Sequence, residues 1–460
     1  MNAPLSSLQA RDADALLHPY TNAVTQRQIG VHVIERGEGI YVYDDQGKRF
    51  IEGIAGLWCC GLGFGDAELI EAAREQLGRL PYYHLFGGRS HEPAIELAER
   101  LKERLPGEMA RIFYQSSGSE ANETQVKLAW YYNNALGRPD KKKIISRVAG
   151  YHGVSIVSAS LTGLAYNHRD FDLPVDRIRH TSCPHHWREA EAGESERDFA
   201  ARCAADLEAL ILEEGPDTVA AFIAEPVMGA GGVIVPPEGY FPAMQAVLAK
   251  YDILCIADEV ITGFGRLGTW FGAEALDYAP TSVSMAKQLT GGYAPLSAVA
   301  MNAEMAEAIE ANSGKIGTFG HGFTYGGHPL GCAVGLKALE LYETRGVVDH
   351  VARIAPSFQA RLRRYADHPL VGEARGVGLM GALELSPDGT PAAFAEPGKV
   401  GARLVGELLD RGVILRSLGD VLAFCPPMII TEDELDALFA PMETALDATH
   451  AWAQAEGLCA

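Results

Sequence analysis

The sequence has no C-x-x-C pair among its eight cysteines, and no apolar run approaches the roughly 18 residues that a membrane-spanning helix needs. A zinc ribbon, a disulfide framework and a membrane anchor are therefore not indicated. Cys183-Pro-His-His186 looks metal-like, but no matching second half exists, so no metal is expected. Positive charge is scarce: 39 Lys and Arg stand against 60 Asp and Glu, for a net charge of −21. That balance argues against nucleic acid and anionic membranes as general partners. The N-terminal stretch carries Arg11, Asp12 and Asp14 where a secretory signal would be apolar, and the cysteines suit a reducing compartment. The expectation is a cytoplasmic protein.

Lysine is also missing over a long interval. Between Lys250 and Lys315 the only one is Lys287, set between a small apolar run and the glycine turn Gly291-Gly292. An ordinary surface lysine is one reading. The other is an amine held in a pocket, where it acts as a nucleophile.

What is present points to an α/β fold. Short apolar runs recur at Arg111–Gln115, Lys143–Ser146, Ala220–Glu225, Ile253–Asp258, Thr281–Met285 and Ala298–Met301, separated by stretches of helical period. Apolar on both faces, they read as buried strands of a mostly parallel sheet covered by helices. Gly39–Tyr43 and Arg49–Glu52 flank Asp44-Asp-Gln-Gly47 and read as a hairpin. Further on, 330–344 and 401–409 have helical period, while 379–385 and 413–415 look like strands. The expected division is a first segment, 1–60, in a small α+β domain, a large domain over 61–330, and a return to the small domain over 331–460.

Ligands of such sheets gather at the carboxyl ends of the strands. There, Ser116-Ser-Gly-Ser-Glu-Ala-Asn122 follows a strand and enters a helix, which offers free N–H groups, hydroxyls and the positive end of a dipole to a phosphate. Asp258 closes another strand, and a carboxylate in that position needs a cation or hydrogen bonds. Lys287 follows 29 residues later at the end of the next strand, on the same edge of a parallel sheet. A direct salt bridge could join the two. Alternatively a cofactor sits between them, its cationic ring nitrogen facing the acid and its aldehyde facing the lysine. Phosphate cradle, acid and amine together match the needs of pyridoxal 5′-phosphate. A competing pattern, G-x-G-x-x-G, occurs at Gly263–Gly268 and again at Gly376–Gly381, which keeps a nicotinamide oxidoreductase as an alternative.

With Ser117-Gly-Ser-Glu-Ala121, Tyr151-His-Gly153, Ala224-Glu-Pro226, Asp258-Glu-Val260, Gly263-Phe-Gly-Arg266, Lys287 and Thr324-Tyr-Gly-Gly-His-Pro329 in this order, the chain resembles the class III pyridoxal-phosphate aminotransferases of fold type I. Trp58 and Arg416 extend the resemblance to ω-transaminases that pair amines with pyruvate. The resemblance implies a large domain with a seven-stranded sheet, and a homodimer with active sites at its interface, alone or as half of a tetramer. It implies that Lys287 forms the Schiff base and moves the proton, that Asp258 pairs with the ring nitrogen, and that Val260 and Tyr151 cover the ring faces. Ser117, Gly118 and Ser119 would hold the phosphate, with Thr324 and Phe323 reaching the cofactor of the neighbouring subunit. His152 and Glu225 complete the cofactor shell. Trp58, Phe86, Tyr20 and Tyr151 would wall the substrate pocket, with Arg416 as the fork for a carboxylate. The implied reaction is a ping-pong transamination from a primary amine or ω-amino acid to a 2-oxo acid, pyruvate first among them. An aminomutase or decarboxylase would use the same lysine and acid.

Overall fold

The computed structural model describes residues 6–459. All six apolar runs form strands, and a seventh joins them in one sheet. Its order is Met109–Gln115, Ser297–Asn302, Ser282–Met285, Leu254–Asp258, Val219–Ala224, Lys143–Arg147, Ile178–Thr181. From Ser282–Met285 to Ile178–Thr181 every pairing is parallel. Ser297–Asn302 alone runs against both neighbours. Every residue of Val219–Ala224 and Leu254–Asp258 is buried, as a sheet covered on both faces requires. Ile178–Thr181 escaped the sequence reading for the converse reason: at the sheet edge its Arg179 and His180 stay half-buried, which breaks the apolar run.

One long covering helix, Gly118–Ala135, packs on the Ser282–Met285 and Ser297–Asn302 strands. Its buried Gln125 bonds Ser284 Oγ at 3.1 Å and Ser282 Oγ at 2.9 Å, which fixes the helix against the strand that leads to Lys287.

Two smaller four-stranded sheets complete the chain. In the first, the expected hairpin, Tyr41–Asp44 with Arg49–Glu52, is extended by Ile34–Glu38 on one side and by the parallel strand Val413–Ile414 on the other. The N-terminal and C-terminal segments thus share a sheet. The second is antiparallel and contains Val371–Val377, Met380–Leu385, Val421–Phe424 and Arg416–Leu418. The chain changes sheet at Leu415, so the strand expected over 413–415 stops at Ile414 and a further strand begins at Arg416. The helices expected over 330–344 and 401–409 are Pro329–Thr344 and Lys399–Asp410.

The two glycine-rich patterns meet each other rather than a nucleotide. Gly263–Gly268 is a run of turns, and Gly378 turns the chain between Val371–Val377 and Met380–Leu385. The Leu379 N–H donates to Arg266 O at 3.1 Å. A Cβ at Gly378, whose φ is +58°, would lie 2.4 Å from Leu267 Cα. Close backbone approach requires this glycine. Cys183-Pro-His-His186 lies against the second small sheet. His185 Nε2 lies 2.9 Å from a Glu373 carboxylate oxygen, and the arginines of Arg375 and Arg188 pair with Glu373 and Glu384 around it. Arg375 also donates to the carbonyls of Gly232 and Val233, which ties the second small sheet to the loop that follows Val219–Ala224.

Candidate active site

Asp258 ends its strand, and parallel register sets it opposite Ser284, three residues before Lys287. Both residues line one cavity of about 330 Å³ at the carboxyl edge of the sheet. Among the described residues no ion pair joins them, so the direct salt bridge is not formed; the Asp258 carboxylate pairs instead with His152. Lys287 begins a short turn, Lys287–Leu289, with φ at +45°. A left-handed conformation is costly for a residue with a Cβ, and it persists only where the surroundings enforce it.

Asp258 is 3% exposed, and its charge is supported by hydrogen bonds. Oδ2 accepts from Asn122 Nδ2 at 2.7 Å and from His152 Nδ1 at 2.8 Å, while Oδ1 accepts from the Val260 N–H at 3.2 Å. An ionised carboxylate can only accept, so His152 carries its hydrogen on Nδ1. His152 Nε2 and Asn122 Oδ1 are buried beside it without a partner among the described residues. Sequence reading did not assign Asn122 a role. The available signal was its place one turn into the Gly118–Ala135 helix, four residues after Gly118, as a polar residue on the face toward the strand ends.

Tyr151 and Glu225 form the next layer. Glu225 Oε1 accepts from the Tyr151 N–H and Oε2 from the Gly229 N–H, each at 2.9 Å. Burial pushes the Glu225 carboxyl upward; nearby His152 opposes this and Asp258 adds to it. Burial also raises the Tyr151 hydroxyl, the Tyr20 hydroxyl bonded to it adds to the rise, and Arg416 acts against it. Asn167 Nδ2 donates to the Tyr20 hydroxyl at 2.8 Å, and the Tyr20 and Tyr166 rings meet edge to face. Arg416 begins the Arg416–Leu418 strand within electrostatic reach of Tyr151 and Tyr166, and has no carboxylate partner among the described residues.

The third element is the start of the Gly118–Ala135 helix. Ser117 caps it, its hydroxyl accepting from the Glu120 N–H at 3.2 Å, while Ser119 Oγ accepts from the Val154 N–H at 3.1 Å. Gly153 allows this contact, since a Cβ there would lie 2.5 Å from Ser119 Oγ. Ser117, Gly118 and Ser119 all line the cavity. The cavity thus offers an anion-binding helix start, a hydrogen-bonded carboxylate and an amine without an ion-pair partner among the described residues, with Val260 and Tyr151 on its walls. These donors fit a phosphate-bearing aldehyde with a basic ring nitrogen.

Other expected residues lie elsewhere in the single chain. Trp58 is 1% exposed and belongs to an apolar cluster with Val227, Ile261 and Met380, because its φ of +64° turns it inward; the cavity wall beside it is Cys59. Phe86 is half exposed and sits against Gly322, with Phe323 beside them, on a different face. Thr324 is exposed there, its carbonyl accepting from the Tyr82 hydroxyl at 2.9 Å. Thr290, which sequence reading passed over, lines the cavity and closes the glycine turn by donating to Ala294 O at 2.6 Å.

Comparison with known proteins accords with this geometry. The sequence model of the class-III aminotransferase family matches residues 21–446. Gamma-aminobutyrate transaminase 1, mitochondrial, of Oryza sativa subsp. japonica is 50% identical over 436 residues, 94% of this chain and 84% of the relative. The ω-transaminase from Pseudomonas jessenii in complex with PMP superposes with a TM-score of 0.96 at 51% identity, covering 97% of this chain and 99% of that one. A transaminase solved with L-alanine gives 0.90 at 53% identity, covering 91% and 99%. The chain belongs to the class III aminotransferases of PLP fold type I: it is an enzyme that transfers amino groups with pyridoxal phosphate as cofactor.

Proposed function

We propose that the donor is a primary amine or ω-amino acid and that the acceptor is pyruvate, the two taking turns at the Lys287 cavity in a ping-pong cycle. The observation that carries this reading is Arg416, a guanidinium within electrostatic reach of the Tyr151 hydroxyl and without a carboxylate partner among the described residues. It suits a two-oxygen fork for the acceptor's carboxylate, and its length lets it withdraw when the donor has none. The relatives support both halves: one is named for an ω-amino acid, another was solved with L-alanine, the amino acid that pyruvate becomes.

Bound pyridoxal phosphate supplies an aldehyde for the amino group and a ring that accepts electrons. The chain's own residues do the rest. Ser117, Gly118 and Ser119 hold the phosphate at the helix start. Asp258 would keep a positive charge on the ring nitrogen, while Asn122 and His152 hold Oδ2 and so fix the carboxylate. Val260 and Tyr151, on the cavity walls, would confine the ring. Lys287 Nζ would take the proton from the donor carbon in one half-reaction and deliver one to the acceptor's carbonyl carbon, from the same face, in the other. Delivery from one face makes the new centre a single enantiomer.

Thr324, Phe323 and Phe86 act across a homodimer interface in this reading. Support comes from their outward face, where Tyr82, Tyr83 and Tyr325 also stand exposed. Sedimentation at a monomer mass under assay conditions would refute it. The eight free cysteines support a reducing, cytoplasmic setting, which fractionation of the source cell tests. For the reaction itself, the holoenzyme is mixed with pyruvate and an amine lacking an α-carboxylate, and alanine is measured. Alanine matching amine consumed is expected. Turnover with 2-oxoglutarate alone would overturn the acceptor assignment.

A further inference from the structure

One wall of the cavity comes from neither strand end but from the loop between Ile54 and Gly61, which presents Cys59 to the space around Lys287. Three of its residues, Ala55, Gly56 and Trp58, have φ of 50°, 68° and 64°. Two of them carry a Cβ, so the shape must be imposed from outside the loop. At its start the buried Glu52 carboxylate accepts from the N–H groups of Ile54 and Gly56. At its far end the clamp is Gln288, the residue after Lys287.

Gln288 is fully buried. Its Oε1 accepts from the Gly61 N–H at 3.0 Å, and its Nε2 donates to Trp58 O at 3.2 Å. The Tyr342 hydroxyl donates to its backbone carbonyl at 2.8 Å, which holds the lysine turn from behind. Nothing separates clamp and loop: a Cβ at Gly61 would lie 2.2 Å from Oε1. Only a neutral carboxamide offers one acceptor and one donor in this arrangement. The side chain spans from the turn that aims Lys287 to the loop that places Cys59 and Trp58.

We infer that Gln288 is a positioning residue for substrate selection: by fixing the Trp58–Gly61 loop against the Lys287 turn, it sets the width of the amine pocket. The inference rests on the reading of the Lys287 cavity as the site of amino transfer. Without the clamp, the buried Gly61 N–H and Trp58 carbonyl lose their partners and the loop moves outward. Bulky donors then gain access relative to small ones.

The test uses the holoenzymes of Gln288→Met, which removes both bonds, and Gln288→Glu, which keeps an acceptor for Gly61. Steady-state constants are measured for a straight-chain primary amine and an arylalkyl amine, beside the visible spectrum. The cofactor absorbance should match the parent and kcat for the small amine should stay within about threefold, while the bulky-to-small ratio of kcat/KM rises at least about fivefold in Gln288→Met. Gln288→Glu should shift the ratio less. An unchanged ratio, or an equal loss for both amines, would overturn the inference. Should Gln288→Met not fold, Gly61→Ala presses on the same contact from the loop side and must raise the same ratio; an unchanged ratio there also overturns it. Lys287→Ala separates the two readings. Full activity in that variant defeats the site assignment itself, whereas an inactive Lys287→Ala beside an indifferent Gln288→Met defeats only the clamp.

Discussion

Asn122→Ala tests the support of Asp258 while leaving acid and lysine in place. Asn122 is 1% exposed, and its Nδ2 donates at 2.7 Å to Asp258 Oδ2 and at 2.8 Å to His152 O. The first bond goes to a charged oxygen, and losing it costs about 1.5–3 kcal/mol. If that loss falls wholly on the charged carboxylate the reaction needs, kcat/KM drops by about 10-fold to 150-fold, at one decade per 1.36 kcal/mol. The second bond acts on folding. A buried His152 carbonyl left without a donor lowers stability by about 1–3 kcal/mol. The two effects separate in two assays: single-turnover reaction of the holoenzyme with amine, followed in the visible spectrum, and denaturant unfolding of the same preparation. A variant that holds its cofactor and reacts within twofold of the parent would refute the reasoning, since Asp258 would then need no help from Asn122. His152→Ala removes the other donor to Oδ2, and the double variant should lose less than the sum, because the two bonds serve one oxygen.

Arg416→Ala should lower kcat/KM for pyruvate by at least about tenfold, from the loss of a paired contact to a carboxylate, and change an uncharged amine by less than about threefold. The reverse pattern in separate half-reactions would remove Arg416 from the acceptor site. Glu259 sets a pH dependence of stability. Burial pushes its carboxyl from the ordinary 4.5 up to about 7, although the Thr262 hydroxyl and the N–H groups of Gly272 and Ala273 donate to it. Because the folded state binds this proton more tightly than the unfolded chain, its contribution falls as pH rises from 4.5 to 7, by about 3 kcal/mol, and is level above. Unfolding of the parent and of Glu259→Gln at several pH values should therefore diverge across that window, and parallel curves would contradict the assignment.

Lys287 and Asp258 were legible in the sequence because residue type, strand pattern and spacing all spoke at once. An isolated lysine and an acid, each closing an apolar run, had to share an edge once the strands were parallel. The helix start at Ser117–Ser119 was legible for the same reason. Asn122 was not, since a polar residue inside a helix gives no sign of its partner 136 residues away. Trp58 shows a different limit: its direction depends on a left-handed backbone that neighbouring side chains impose. The polar edge strand Ile178–Thr181 lacked the apolar run that revealed the others. The G-x-G-x-x-G patterns were a weak signal because Gly378 answers a close backbone approach, and sequence cannot tell what approaches.

A visible spectrum of the holoenzyme tests whether Lys287 carries the amino-transfer chemistry. Purified holoenzyme should be yellow, bleach when an amine is added and regain its colour with pyruvate. Lys287→Ala should bind the cofactor without completing that cycle. A Lys287→Ala protein that bleaches and recovers at the parent's rate would contradict the account.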